Sequence, residues 1–120
     1  MKQKSSFMPP KKILKYILDI ESVIRELELV IEINERDYSK FSSNFMAVRT
    51  VERDLEIIGE AVRKITLLDP TIVISSSKHI IGLRNMIVHA YDSIDPTTLW
   101  KIMIKDLPVL KEEIVKIKNM

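Results

Sequence analysis

The residue types with chemical capacity gather in one short stretch, Arg84-Asn85-Met86-Ile87-Val88-His89-Ala90-Tyr91. On a helix, Asn85 and His89 are i, i+4 neighbours, so one face presents both side chains. Arg84 precedes His89 by five positions, about 140° around an ideal helix, and its long side chain reaches toward the same pocket. Two readings fit the cluster. One is a capped, hydrogen-bonded helix end. The other is a metal-free phosphodiester site, in which arginine holds a phosphate, histidine moves a proton and asparagine orients a group. A second set, Glu52, Glu56 and Glu60, follows one helix face at i, i+4, i+8. Such a carboxylate row is most often a solvated face; the competing reading directs Glu60, beside Gly59, into a functional cleft.

Other chemistries drop out early. The sequence holds no Gly-rich phosphate loop, no His-Glu-x-x-His pair and no nucleophile elbow. His79 and His89 are ten residues apart with no acid between them, which argues against a histidine-based metal site. With 0 cysteines there is no disulfide framework and no thiolate ligand or nucleophile, a composition that fits a reducing cytoplasm. Neither a metal nor a cofactor is expected.

The elements that must position these residues read as long helices. The 120 residues, 46% hydrophobic and 30% charged, suit one soluble domain, and 2 glycines and 5 prolines disfavour a turn-rich β architecture. Ile13, Ile17, Ile20, Ile24, Leu27 and Ile31 form one helical stripe, widened by Leu14, Leu18, Val23 and Val30. The polar stretch from Asn34 to Ser43 reads as a loop with one short helical turn, anchored by Tyr38 and Phe41. Ser42-Ser43-Asn44 offers N-caps for a second long helix with Val48, Val51, Leu55, Ile58, Val62 and Ile65, ended by Asp69-Pro70. Gly59 inside that pattern marks a close backbone approach by another helix. Thr71 to Ser77 reads as a loop, and a third helix spans about Lys78 to Tyr91. Asp95-Pro96 opens a fourth, with Leu99, Met103, Leu107, Leu110, Ile114 and Ile117, which Pro108 kinks or divides. The expected fold is all-α, an antiparallel four-helix-type bundle, and the wide apolar stripes of the first two helices favour a homodimer.

Charge is unevenly spread. The chain has 19 basic and 17 acidic residues, but Lys2, Lys4, Lys11 and Lys12 fall in the first twelve positions with no acid. The basic balance therefore sits in an N-terminal tail, residues 1–11, ahead of a slightly acidic helical domain, residues 12–120. No broad footprint for duplex nucleic acid results. Ser5-Ser6-Phe7-Met8-Pro9-Pro10 is too short and broken for a leader's apolar core, and no run approaches the roughly 18 apolar residues of a membrane span.

Arg84, four residues, His89, one residue, Tyr91 resembles the motif of HepT-like toxins, within the HEPN class of helical nucleotide-binding and ribonuclease domains. Leu55-Glu56-Ile57-Ile58-Gly59-Glu60-Ala61 is similar to the family's second-helix signature. Ile80-Ile81-Gly82-Leu83-Arg84-Asn85 leads into the motif, and Trp100 with Asp106-Leu107-Pro108-x-Leu110-Lys111 is similar to its last helix. The resemblance runs from about Lys12 to Lys118. Ala90 stands where the family often has glycine, and His79, read as a surface residue, where it often has an acidic or polar one.

The resemblance implies a metal-independent RNA endonuclease toxin acting on tRNA or mRNA, with its active site across a symmetric homodimer. By motif position Arg84 and His89 are catalytic, and Asn85 and Glu60 support them. It also implies a type VII toxin–antitoxin pairing, with an MntA-like nucleotidyltransferase antitoxin that moves AMP from ATP onto Tyr91 and so blocks the RNA cleft. The alternative is a non-catalytic nucleotide-binding or adaptor subunit of a nucleotidyltransferase complex; a plain structural bundle is a third.

Overall fold

The computed structural model describes residues 10–75, 77–89 and 95–119, apart from the side chains of Leu83, Arg84, Ile87, Val88 and His89. Every regular element among them is helical: α1 (Lys11–Ile33), α2 (Tyr38–Ser43), α3 (Phe45–Leu68), α4 (Ser77–His89), α5 (Pro96–Lys101), a π-helical turn (Ile102–Asp106) and α6 (Leu107–Lys118). None of the helices is long and apolar enough to cross a membrane. The molecule is 19 Å across its thinnest dimension, about two helix diameters, so most helices keep an outward face.

α1 and α3 are antiparallel: Tyr16 and Asp19 near the start of α1 share a cleft with Ile57 and Glu60 late in α3, while Glu26, further along α1, meets Asp54, earlier in α3. α6 runs back along α1 as well, fixed at the surface by Lys111–Glu28 at 2.7 Å and Lys118–Glu21 at 3.1 Å. All six residues of the expected α1 stripe and all six of the α3 stripe are buried, as are Leu99, Met103, Leu107, Leu110, Ile114 and Ile117. The widening positions divide. Val30 joins the core, Val23 packs against it and Leu14 is half-buried, but Leu18 is exposed, on the same outer side of α1 as exposed Leu29 and Ile33.

The helix ends follow local chemistry. Asn44 is the N-cap of α3 among the three candidates, accepting from the Ala47 amide at 3.1 Å, and Asp69 closes the helix before Pro70. Asp95 caps α5 by accepting from the Thr97 amide at 3.0 Å, with Pro96 in the first turn. The expected short turn is α2. Its Phe41 is fully buried with its ring 5.3 Å from that of Trp100, and Tyr38 Oη meets Thr97 Oγ1 at 2.7 Å. α1 ends without glycine, on a Schellman motif: the Arg36 amide donates to Ile31 O and the Glu35 amide to Glu32 O, with Glu35 at φ 58° and Arg36 at φ 56°. Buried Asn34 donates its side-chain amide to Val30 O at 2.8 Å and locks the turn.

Pro108 divides the last helix as its chemistry requires. A proline donates no amide hydrogen bond and its ring crowds the carbonyl four residues back. The chain widens ahead of it into the π turn, where the Leu107 amide donates to Ile102 O, and α6 restarts with Pro108 in its first turn.

One polar residue breaks the apolar seam. Asp54, between Val51, Leu55 and Ile58, is 3% exposed, with Oδ2 buried and unpartnered among protein atoms. Burial first, and the neighbouring Glu26 carboxyl second, push its pKa up to about 8. The folded state therefore holds a proton there that the unfolded chain, near 3.8, gives up. That contribution to stability is full below about pH 4 and lost as pH rises through about 8. Urea melts of the wild type are expected to lose about 2–3 kcal/mol between pH 6 and pH 9. Asp54→Asn, neutral throughout, flattens this profile; an equal slope in the variant would assign the proton elsewhere.

Candidate active site

α4 carries the motif. Arg84, Asn85 and His89 occupy its second half, where Arg84 and His89 are separated by about 7.5 Å of helix rise and Asn85 and His89 share a face. Asn85 is exposed. The side chains of Arg84 and His89, and all of Ala90 and Tyr91, lie outside the described residues. α4 packs on α3: Leu55 and Ile58 of α3 meet Ile80 of α4 around one small apolar gap closed by Ile102, Leu107 and Leu110. Gly59, one turn after Leu55, is buried.

The glutamate row is not one uniform solvated face. Glu52 is 8% exposed, Glu56 is half-buried and paired with Arg53 at 3.0 Å, and Glu60 is half-buried. Arg63 grips Glu60 through both carboxylate oxygens, Nε to Oε1 at 3.1 Å and Nη2 to Oε2 at 2.8 Å. A fork of this kind holds the carboxylate in one orientation, which suits a positioning group. The Arg63 pKa is raised by its hydrogen bond to Glu60. Arg63 was legible in the sequence only as one more helical cation; its i+3 spacing from Glu60 is the signal that finds it.

Glu60 also lines a cleft of about 370 Å³ between α1 and α3, with Tyr16, Asp19, Arg53, Glu56 and Ile57. Three carboxylates against one lining arginine make this cleft a poor seat for a phosphate backbone. His79, at the start of α4, is 61% exposed as expected of a surface residue, and its Nδ1 lies 3.4 Å from Asp106 Oδ2 in the π turn. Among the described residues, no three histidine or carboxylate side chains converge as a metal ion would require.

Comparison with known proteins places the whole domain. The family model described as Ribonuclease HepT-like matches residues 13–117. A protein of Methanocaldococcus jannaschii named as an RNase candidate is 37% identical over 112 residues, covering 89% of this chain and 97% of that one. A second from the same organism, also named as an RNase candidate, is 31% identical over 92% of this chain and 94% of its own length. A Thermococcus cleftensis protein named probable ribonuclease HepT is 31% identical over 83% of this chain and 93% of its own. No solved structure matches.

Exposed Asn85 separates chemistry from folding. Asn85→Ala is expected to cost less than about 1 kcal/mol in a urea melt, the scale of one hydrogen bond at the surface, so that a larger loss of activity reports on the site. A loss above about 1 kcal/mol would make Asn85 a structural residue of the helix end.

Proposed function

Because the chain belongs to the HepT-like ribonuclease family, we propose that it is a metal-independent RNA endonuclease and the toxin of a type VII toxin–antitoxin pair. The observation that carries this reading is the family match over residues 13–117, which includes α4 and its arginine and histidine positions. In the proposed step the ribose 2′-hydroxyl attacks the adjacent phosphorus. The O2′–P bond forms and the P–O5′ bond breaks, leaving a 2′,3′-cyclic phosphate and a 5′-hydroxyl. His89 takes the proton from the 2′-hydroxyl or gives one to the leaving oxygen. Arg84 stabilises the charge that develops on the phosphorane.

One imidazole cannot act as base and acid in the same instant, so two copies of His89 across a homodimer cleft supply both. Exposed Leu18, Leu29 and Ile33 on α1 support association between copies. Asn85 orients the substrate beside His89, and Glu60, held by Arg63, supports the site from α3. The antitoxin is an MntA-like nucleotidyltransferase. It joins the Tyr91 hydroxyl to the α-phosphorus of ATP with release of pyrophosphate, and the added AMP blocks and repels the RNA phosphate.

The test is cleavage of tRNA and mRNA by purified protein in EDTA. The wild type is expected to yield ends carrying a cyclic phosphate, and Arg84→Ala and His89→Ala to lose about 10²–10⁴ of the rate while keeping their helical content. Tyr91→Phe keeps cleavage and gains no AMP by intact mass in the presence of the transferase and ATP. A folded, unmodified wild type that cleaves neither RNA would sink the reading.

A further inference from the structure

The first two turns of α3 carry a surface that the packing of the helix does not use. Phe45 is 67% exposed and Met46 78%, both at the start of an otherwise deeply buried helix. Arg49, one turn on, lays its guanidinium 5.0 Å from the centre of the Phe45 ring. The other two arginines of α3 are neutralised within their own helix, Arg53 by Glu56 at 3.0 Å and Arg63 by Glu60 at 2.8 Å. Among the described residues Arg49, unlike these two, has no carboxylate partner, and its contact is an aromatic face. An exposed ring capped by an uncompensated planar cation has two unmet demands, a flat apolar partner and an anion.

We propose that Phe45 and Arg49 form a stacking platform for a single-stranded RNA substrate, with a base laid on the Phe45–Arg49 pair and the adjoining phosphate held by Arg49. The assignment rests on the ribonuclease reading and adds to it a substrate-holding site outside the α4 motif. Unpaired bases stack on aromatic rings and on guanidinium planes, and every base offers such a face. A protein partner of opposite charge would satisfy Arg49 but leave the ring and its flat geometry unexplained. A second copy of this chain covering Phe45 and Met46 is the competing occupant, and the mass of the variants reads it. A nucleotide supplies the plane and the charge together.

The platform is a positioning site, so its loss weakens binding and leaves the chemical step intact. The experiment measures fluorescence anisotropy of a labelled single-stranded RNA of about 12 nucleotides, with full-length His89→Ala protein as the parent so that the probe survives. Phe45→Ala and Arg49→Gln are each expected to weaken binding about tenfold. Phe45→Trp retains parental affinity and shows quenching of the new indole. Arg49→Gln also lowers the slope of log affinity against log salt by about 0.7, as loss of one phosphate contact requires. Circular dichroism checks that each variant is folded, and light scattering follows its mass.

Equal affinity in parent and variants overturns the proposal, as does failure of the parent to bind the RNA. A fall in mass of Phe45→Ala from dimer to monomer also overturns it, by assigning the surface to contact between copies. The ribonuclease reading is decided separately by wild-type cleavage in EDTA. Cleavage with unchanged variant affinity removes the platform alone, and tenfold weaker binding without wild-type cleavage removes the catalytic reading alone.

Discussion

Burial of α3 on two sides is the constraint on which the rest of the structure depends. Val51, Leu55, Ile58, Val62 and Ile65 are enclosed along one helix, which α1 covers on one side and α4 on the other. Each such side chain contributes roughly 1.5–3 kcal/mol on leaving water, so opening either seam costs more than tolerating a polar group within it. Asp54 is tolerated on those terms, neutral and enclosed at the α1 seam. What remains for chemistry on α3 is a narrow outer strip, and the strip holds Phe45, Arg49, Arg53, Glu56 and Glu60.

The second constraint is covalent. Pro108 cannot continue an α-helix in register, yet Leu99, Met103, Leu107, Leu110, Ile114 and Ile117 must all face one core. Absorbing the mismatch as a π turn lets both halves keep their apolar faces inward. The turn also carries Asp106 out to meet His79 at the start of α4. The helix that bears the motif is thus held at its beginning by packing of Ile80 and by this surface pair.

Much of this was legible in the sequence because helical periodicity and proline chemistry are local. The apolar stripes, the Asn44 and Asp95 caps and the break at Pro108 follow from residues within a few positions of one another. The close of α1 was not legible, since its Schellman turn uses Glu35 and Arg36 with positive φ where glycine is the usual signal. Burial of Glu52 and Asp54 was hidden for a different reason. A carboxylate row looks solvated until the neighbouring helices are placed, and their placement is a long-range fact. Leu18 erred in the opposite direction, apolar in sequence yet outward in the fold. At the site, the motif positions were legible on α4, whereas the Arg63 fork and the Phe45–Arg49 stack required three dimensions.

A slightly acidic domain that handles a polyanion raises an electrostatic question, and the pairing pattern answers it. Lys15 meets Asp19, Arg36 meets Glu32, Lys40 meets Glu35, Arg53 meets Glu56 and Arg63 meets Glu60, all within a turn or so of helix. Opposite charges that close together present little field beyond a Debye length, about 8 Å at physiological ionic strength. Net charge is then a poor guide to what an approaching phosphate meets. The relevant quantity is the cation left without a local carboxylate, and among the described arginines of α3 that is Arg49. Its position on an exposed ring gives the remaining charge a shape as well as a sign. A surface neutral on average discriminates better than a uniformly basic one, because an anion gains attraction only where the geometry also fits.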